Sequence, residues 1–420
     1  MFYKLMPHQE RVTDFAVANP YSILSVAMGG GKTLIALEIF KRVGGTMVVV
    51  CPSYLINNWV REIKKFCGDK YIVTAISEGK QIYVPWDTDI VLVSYGLVQK
   101  SKFIEWADTV ILDEGHYIKS MKTKVSDFMH REIYENSKKR VHILTGTPIK
   151  NRVEEFYSLM ALCNYNPKLV VSKFLNKFED SISFADYFSN RHEYTMPVGH
   201  RFVTVVKWDG YKNVEELKDY LKGIYIRVEA DEFLSVEEPT YRRVQLNLMD
   251  DKMLEEAFEF FVETGSVNPT AKQKSAVLKA PVTVSYVRDL IDEAGKIVIY
   301  TDHVESCYSI AKSLGVSPIT GGTPVKDREK IANDFMYGGL KYIVATIQSF
   351  STGYTLTAAH HMVFNDISWS VGDLDQAVYR IVRIGQKNPC TIHMILGSQQ
   401  DEKILSAVES KREVISMVTK

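Results

Sequence analysis

Short apolar runs without polar interruption recur through the first third of the chain, at 22–27, 47–51, 71–76, 90–94, 109–112 and 141–144, separated by stretches with helical spacing. A strand with one wet face alternates apolar and polar residues. Unbroken runs instead predict strands covered on both faces, as in a parallel α/β sheet. The alternation returns with KIVIY (296–300), YIVAT (342–346), MVFN (362–365) and TIHMIL (391–396). Between these regions, residues 150–290 are rich in aromatics and mostly helical in pattern. The predicted organisation is a first α/β lobe over 1–150, an insert over 151–238 attached to it, and a second α/β lobe over 239–420 that opens with a helical extension. The boundary falls near Pro239, where EEPT breaks the pattern. Within the insert, YTMPVGHRFVTVVKW (194–208) alternates around Gly199 and runs into Asp209-Gly210, which predicts a β-hairpin.

Length agrees with this division, because 420 residues exceed one ordinary core and suit two domains of roughly 200 residues each. Hydrophobic residues make up 46% and charged residues 24%, with no low-complexity tract, so a globular chain is expected. No apolar run reaches membrane-spanning length and the N-terminus lacks a signal-peptide pattern, which predicts a soluble intracellular protein: cytoplasmic or nucleoid-associated in a phage or bacterium, nuclear in a eukaryote. Cys51, Cys67, Cys163, Cys307 and Cys390 form no Cys-x-x-Cys pair, so neither zinc module nor disulfide framework is predicted. The net charge of zero excludes nucleic-acid binding by bulk electrostatics. Any such contact must be local, at Lys119, Lys122 and Lys124, at Lys138, Lys139 and Arg140, or at Arg242 and Arg243, each of which is equally well a solvated face.

The chemistry concentrates at two strand ends. SILSVAMGGGKT (22–33) runs from strand through a glycine loop into a helix, so that the backbone of Met28, Gly29, Gly30 and Gly31 and the Lys32 ammonium can cradle phosphates, with the Thr33 hydroxyl on Mg²⁺. The strict phosphate-loop pattern has glycine at 26, where this chain has Val26. DEGH (113–116) follows the strand VIL and delivers two carboxylates to the same edge. Asp113 suits a metal contact and Glu114 suits the base that orients an attacking water. His116 reads from chemistry alone either as part of that site or as a capping or core histidine. A nucleoside triphosphate hydrolase is the expectation.

These motifs do not stand alone. LMPHQ (5–9), VVVCPSYLINNWVREIKKF (48–66), VLVSYGLV (91–98), LTGTPIKN (144–151) and DLDQAVYRIVRIGQ (373–386) join them in order along the chain. The set resembles superfamily 2 helicases of the SWI/SNF type, with their DE-x-H-x-x-K and Gln-x-x-x-Arg-x-x-Arg-x-Gly-Gln signatures. The resemblance implies two RecA-like P-loop lobes and ATP as the nucleotide, with Gln9 reading the adenine edge. It implies that His116 couples the nucleotide to the second lobe, that Arg380 and Arg383 bring cationic charge to the γ-phosphate, and that Gln376 lines the same face. It further implies DNA-backbone contacts at Ser53, Trp59, Ser94, Tyr95, Lys119, Thr145 and Asn151 on the first lobe, and at Thr301, Thr323, Ser351, Thr352 and Trp369 on the second.

Residues 208–233 are similar to the insert of the fork-remodelling, or annealing-helicase, branch, although that branch has paired arginines where this chain has Arg227 and Val228. The chain also has Ala27 where glutamate is usual, and Ser370-Val371 where Asn-Pro is common. The expectation is a nearly bare ATP-driven DNA motor of phage or bacterial type, acting on forks and four-way junctions in replication, recombination or repair. A duplex translocase that displaces bound proteins is the alternative. The 194–208 hairpin either completes the insert's core or acts as a wedge that separates strands.

Overall fold

The computed structural model describes residues 3–76, 83–100, 102–136, 139–146, 153–165, 173–198, 201–234, 238–246, 269–350, 353–397 and 399–419. The chain divides into two units, one comprising Met1–Phe233 and Glu413–Lys420, the other Leu234–Arg412. Each is built on its own parallel sheet.

In the first unit β1 (Tyr21–Val26), β2 (Met47–Cys51), β3 (Val73–Ile76), β4 (Ile90–Ser94), β5 (Thr109–Asp113) and β6 (Arg140–Thr145) realise the apolar runs. The strands β1, β2, β4 and β5 are buried along their whole length, which is why those runs show no alternation. The hairpin comes next as β7 (Asn190–Val198) and β8 (Arg201–Asp209). One strand was not expected: β9 (Tyr225–Val228), which the sequence places in the insert, pairs in parallel with β1 at the sheet edge, giving the order β3-β4-β2-β5-β6-β1-β9. The chain after the insert is thereby brought back beside the glycine loop.

The insert shares its core with that sheet. Phe174, Phe178, Phe184 and Phe188 pack with Tyr157 of the helix Phe156–Asn164, in one cluster with β-sheet residues such as Val50 and Leu112. Aromatic edge and tilted contacts of this kind add about 0.5–1.5 kcal/mol per pair beyond area burial. The hairpin leaves this cluster directly after Phe188, and its paired register runs from Asn190↔Asp209 to Val198↔Arg201. At its base the Trp208 indole donates to Asp186 at 2.7 Å.

The second unit holds β10 (Thr240–Gln245), β11 (Ile297–Thr301), β12 (Pro318–Ile319), β13 (Tyr342–Thr346), β14 (His361–Phe364) and β15 (Thr391–Leu396) in the order β10-β15-β14-β11-β13-β12. Its edge strands β10 and β12 were likewise not foreseen. The 26-residue helix Pro269–Ala294 packs on this sheet and is tied to the end of β14 by Thr283, which donates to Asn365 Oδ1 at 2.7 Å. No helix among the described residues is long and apolar enough to cross a membrane.

Candidate active site

The glycine loop links β1 to helix α1 (Lys32–Val43) with Gly29 and Gly31 at φ of +86° and +84°, left-handed values that favour glycine. Steric fit also fixes two of the glycines. A Cβ at Gly30 would lie 2.6 Å from Val26 Cγ1 and 3.1 Å from the Phe233 ring, and one at Gly31 would lie 2.3 Å from Gln9 Nε2. Val26, where the strict motif has glycine, fills the space that Gly30 leaves. Helix α1 has no side-chain cap, so its first N–H groups point into the loop without intrahelical acceptors, the arrangement that binds a phosphate. Lys32 opens the helix with Nζ 3.4 Å from the Val26 carbonyl, and Thr33 follows half-buried.

The acidic pair sits at the end of β5, and both residues are buried. Asp113 is held at three points: Trp59 Nε1 donates to Oδ2 at 2.8 Å, the Glu114 amide donates to Oδ1 at 3.0 Å, and the Tyr95 hydroxyl donates to its backbone carbonyl at 2.9 Å. Burial first, and then the neighbouring Glu114 carboxylate, raise the Asp113 carboxyl to about 6, with Lys32 and the indole N–H opposing. Burial also pushes the Tyr95 phenol well above its ordinary value, so it stays protonated and donates. Glu114 itself has φ +53°, one of two described non-glycine residues with positive φ. That conformation costs about 1–2 kcal/mol and persists where the surroundings impose it, commonly at functional positions. His116 Nδ1 lies 3.3 Å from Glu114 Oε2.

In the second unit Arg380 is buried, donating from Nε to the Gln376 carbonyl at 3.0 Å and from a terminal nitrogen to the Tyr354 carbonyl at 3.1 Å. Arg383 is more exposed and shares the Tyr354 carbonyl at 3.5 Å. Gln376 is buried with Nε2 lacking a hydrogen-bond partner among the described residues.

A family model of the SNF2-related domain matches residues 8–288, and the helicase conserved C-terminal domain matches residues 282–385. The chain belongs to the SNF2-related family. Among its SNF2-related relatives, the mouse DNA annealing helicase and endonuclease ZRANB3 is 26% identical over 98% of this chain and 40% of its own length. The uncharacterized ATP-dependent helicase YqhH of Bacillus subtilis is 26% identical over 98% of this chain and 79% of its own length. The chain thus spans about two fifths of the first relative and four fifths of the second. The Sulfolobus solfataricus SWI2/SNF2 ATPase core in complex with dsDNA is 22% identical, with a TM-score of 0.45, over 98% of this chain and 92% of that one.

Several residues of this SNF2-related chain lie elsewhere than the resemblance implied. Trp59 and Tyr95 were expected on DNA; both are buried, with their donors on Asp113. Thr301 is also buried, and its hydroxyl donates to Asp366 at 2.5 Å. Ser94 and Thr145 are buried at the ends of β4 and β6. Ser53 is exposed at the start of the turn Ser53–Leu55, while Thr323 and Trp369 are half-buried. Lys119 is engaged with Glu155 at 2.7 Å. Asn151, Ser351 and Thr352 fall outside the described residues. Gln9, expected on adenine, has both ends of its amide occupied, accepting from the Met6 N–H at 3.0 Å and donating to the Gly30 carbonyl at 3.2 Å. His8, which the motif reading left without a role, shares that carbonyl at 2.8 Å and stacks on Phe233 with centroids 4.7 Å apart. Its position beside Gln9 was the only available signal.

Proposed function

We propose that this SNF2-related chain couples ATP hydrolysis to movement on branched DNA, at forks and four-way junctions. The observation that carries the motor reading is the convergence at one sheet edge of Lys32, the uncapped start of α1 and the buried Asp113–Glu114 pair. The glycine loop and Lys32 bind the β and γ phosphates. Glu114 orients a water for in-line attack and takes its proton as the bond to the γ-phosphorus forms and the bond to the leaving ADP oxygen breaks. Thr33 and Asp113 are the groups that would hold Mg²⁺, a fit supported by their hard oxygen donors beside the phosphate cradle. When bound, the ion neutralises phosphate charge. Arg383, the more exposed of the two arginines that donate to the Tyr354 carbonyl, is the cation of the second unit that hydrolysis requires.

The branched-DNA reading is supported by the annealing-helicase relatives and by the β7–β8 hairpin. Nine paired residues per strand extend about 30 Å, from a base anchored by Trp208 and Asp186. The test is ATP turnover on single strand, linear duplex, fork, four-way junction and RNA. A fork or junction optimum is expected; equal stimulation by linear duplex would favour the alternative, a translocase that displaces bound proteins. A shortened hairpin should lose fork unwinding while keeping DNA-stimulated hydrolysis, and loss of both would leave the wedge unsupported.

A further inference from the structure

Two segments of the first unit, remote in sequence from the acidic motif, converge on it. The turn Ser53–Leu55 leads into helix α2 (Ile56–Cys67), whose Trp59 is 1% exposed and donates to Asp113 Oδ2. The turn after β4 begins with Tyr95, whose hydroxyl donates to the Asp113 carbonyl and whose ring stacks on Tyr117 at 5.2 Å with planes 3° apart. Tyr117 belongs to the turn Gly115–Ile118 that follows Glu114. The carboxylate, the carbonyl and the turn beyond the acids are therefore each held from a different point on these two segments. In a buried site water does not replace a lost donor, so a shift of either segment must carry Asp113 with it or leave its oxygens underbonded.

We propose that Trp59 and Tyr95 are positioning residues through which the segments bearing Ser53 and Ser94 set the orientation of Asp113. This rests on the reading above in one respect, that those segments meet DNA. Engagement of DNA at the exposed Ser53 turn then acts on hydrolysis through the indole N–H and the phenol, not through new groups entering the site. The two side chains touch neither nucleotide nor DNA. Their effect is on the rate of hydrolysis and on how tightly Mg²⁺-nucleotide is held.

Tyr95→Phe removes one donor and keeps its ring, while Trp59→Phe removes one donor and also trims the buried indole to a single ring. Three quantities are read on the full chain: duplex affinity, the DNA-stimulated kcat, and the dependence of ADP binding on Mg²⁺ without DNA, followed with a fluorescent ADP. Loss of such outer-shell hydrogen bonds typically costs 10–100-fold, so a drop of about ten-fold or more is expected in stimulated kcat, and a similar loss in Mg²⁺-dependent ADP affinity, at unchanged duplex affinity. Duplex affinity falling in step with kcat would make them direct contacts and overturn the proposal. Wild-type stimulation and ADP binding in both variants would overturn it as well. If DNA of no kind stimulates the wild-type chain, the DNA reading fails and the ADP measurement alone decides on positioning. Should Trp59→Phe not fold, as judged by its melting transition, Tyr95→Phe carries the same test.

Discussion

Asp113 closes β5 in the first unit, and Asp366 lies two residues beyond β14 in the second; both are buried strand-end carboxylates. Asp366 accepts three hydrogen bonds, from the Thr301 hydroxyl at 2.5 Å, the Asn365 amide at 3.0 Å and the Asp302 backbone N–H at 2.8 Å, and the Asp302 carboxylate within 4.8 Å of it is paired with Lys272. Asp113 has two donors on its carboxylate, a second carboxylate beside it and Lys32 nearby, and its proton affinity is raised. A fully satisfied buried acid cross-links a fold. An acid with two donors only, a second acid directly beside it and a strained neighbour carries negative charge that a cation would relieve. Burial does not distinguish the two; the partners do.

The comparison can be broken by substitution. The largest effect is expected at the first site, where Glu114→Gln should lower ATP turnover by about 10²–10⁴-fold while leaving nucleotide binding intact, measured as kcat against the affinity of a non-hydrolysable analogue. Normal turnover would remove Glu114 from its role. At the second site the effect is on folding. Asp366→Asn turns an amide NH₂ toward a donor, and should destabilise the second unit by about 1–3 kcal/mol with nucleotide affinity unchanged. Asp113→Asn should cost less stability, because a carboxyl whose pKa is raised above its unfolded value gains stability from protonation below pH 4 and loses it as pH rises through about 6. Denaturant melts of both variants at neutral pH decide this. Equal destabilisation would mean that the two acids serve the same end.

The smallest effect is one the two units share. His130 and His142 in the first unit, and His393 in the second, are lowered by burial to about 4, 3 and 4. Groups depressed in this way contribute stability that is present above the unfolded value near 6.5 and is lost as pH falls toward their folded values. Each adds a slope of up to about 1.4 kcal/mol per pH unit in that window. The melting temperature should therefore fall between pH 7 and pH 5 more steeply than carboxylates alone would give, and a His142→Asn variant should flatten the slope.

The sheets were legible because their central strands are covered on both faces, which leaves unbroken apolar runs from Tyr21–Val26 to Thr391–Leu396. The edge strands were not. Tyr225–Val228 carries Arg227, and Thr240–Gln245 is almost wholly exposed with Arg242 and Arg243, so neither shows the run that signals a central strand. At the site the same division holds. Lys32, Thr33, Asp113 and Glu114 lie on local strand-loop-helix motifs and could be read as such. The holding of Asp113 by Trp59 and Tyr95 spans 54 and 18 residues of chain, and no local pattern encodes it. Nor does any pattern show that Glu114 has a left-handed backbone, since that is imposed by the sheet edge and not by the residue's own preference.

The central proposal is that Lys32 and the acidic pair of the first unit bind and position ATP and that its hydrolysis requires Arg383. Single-turnover hydrolysis by Arg383→Ala, with ATP binding followed in the same reaction, tests it most directly. The expected result is ATP binding like that of the wild-type chain, with hydrolysis slowed by about 10³-fold or more. Hydrolysis at the wild-type rate would contradict it.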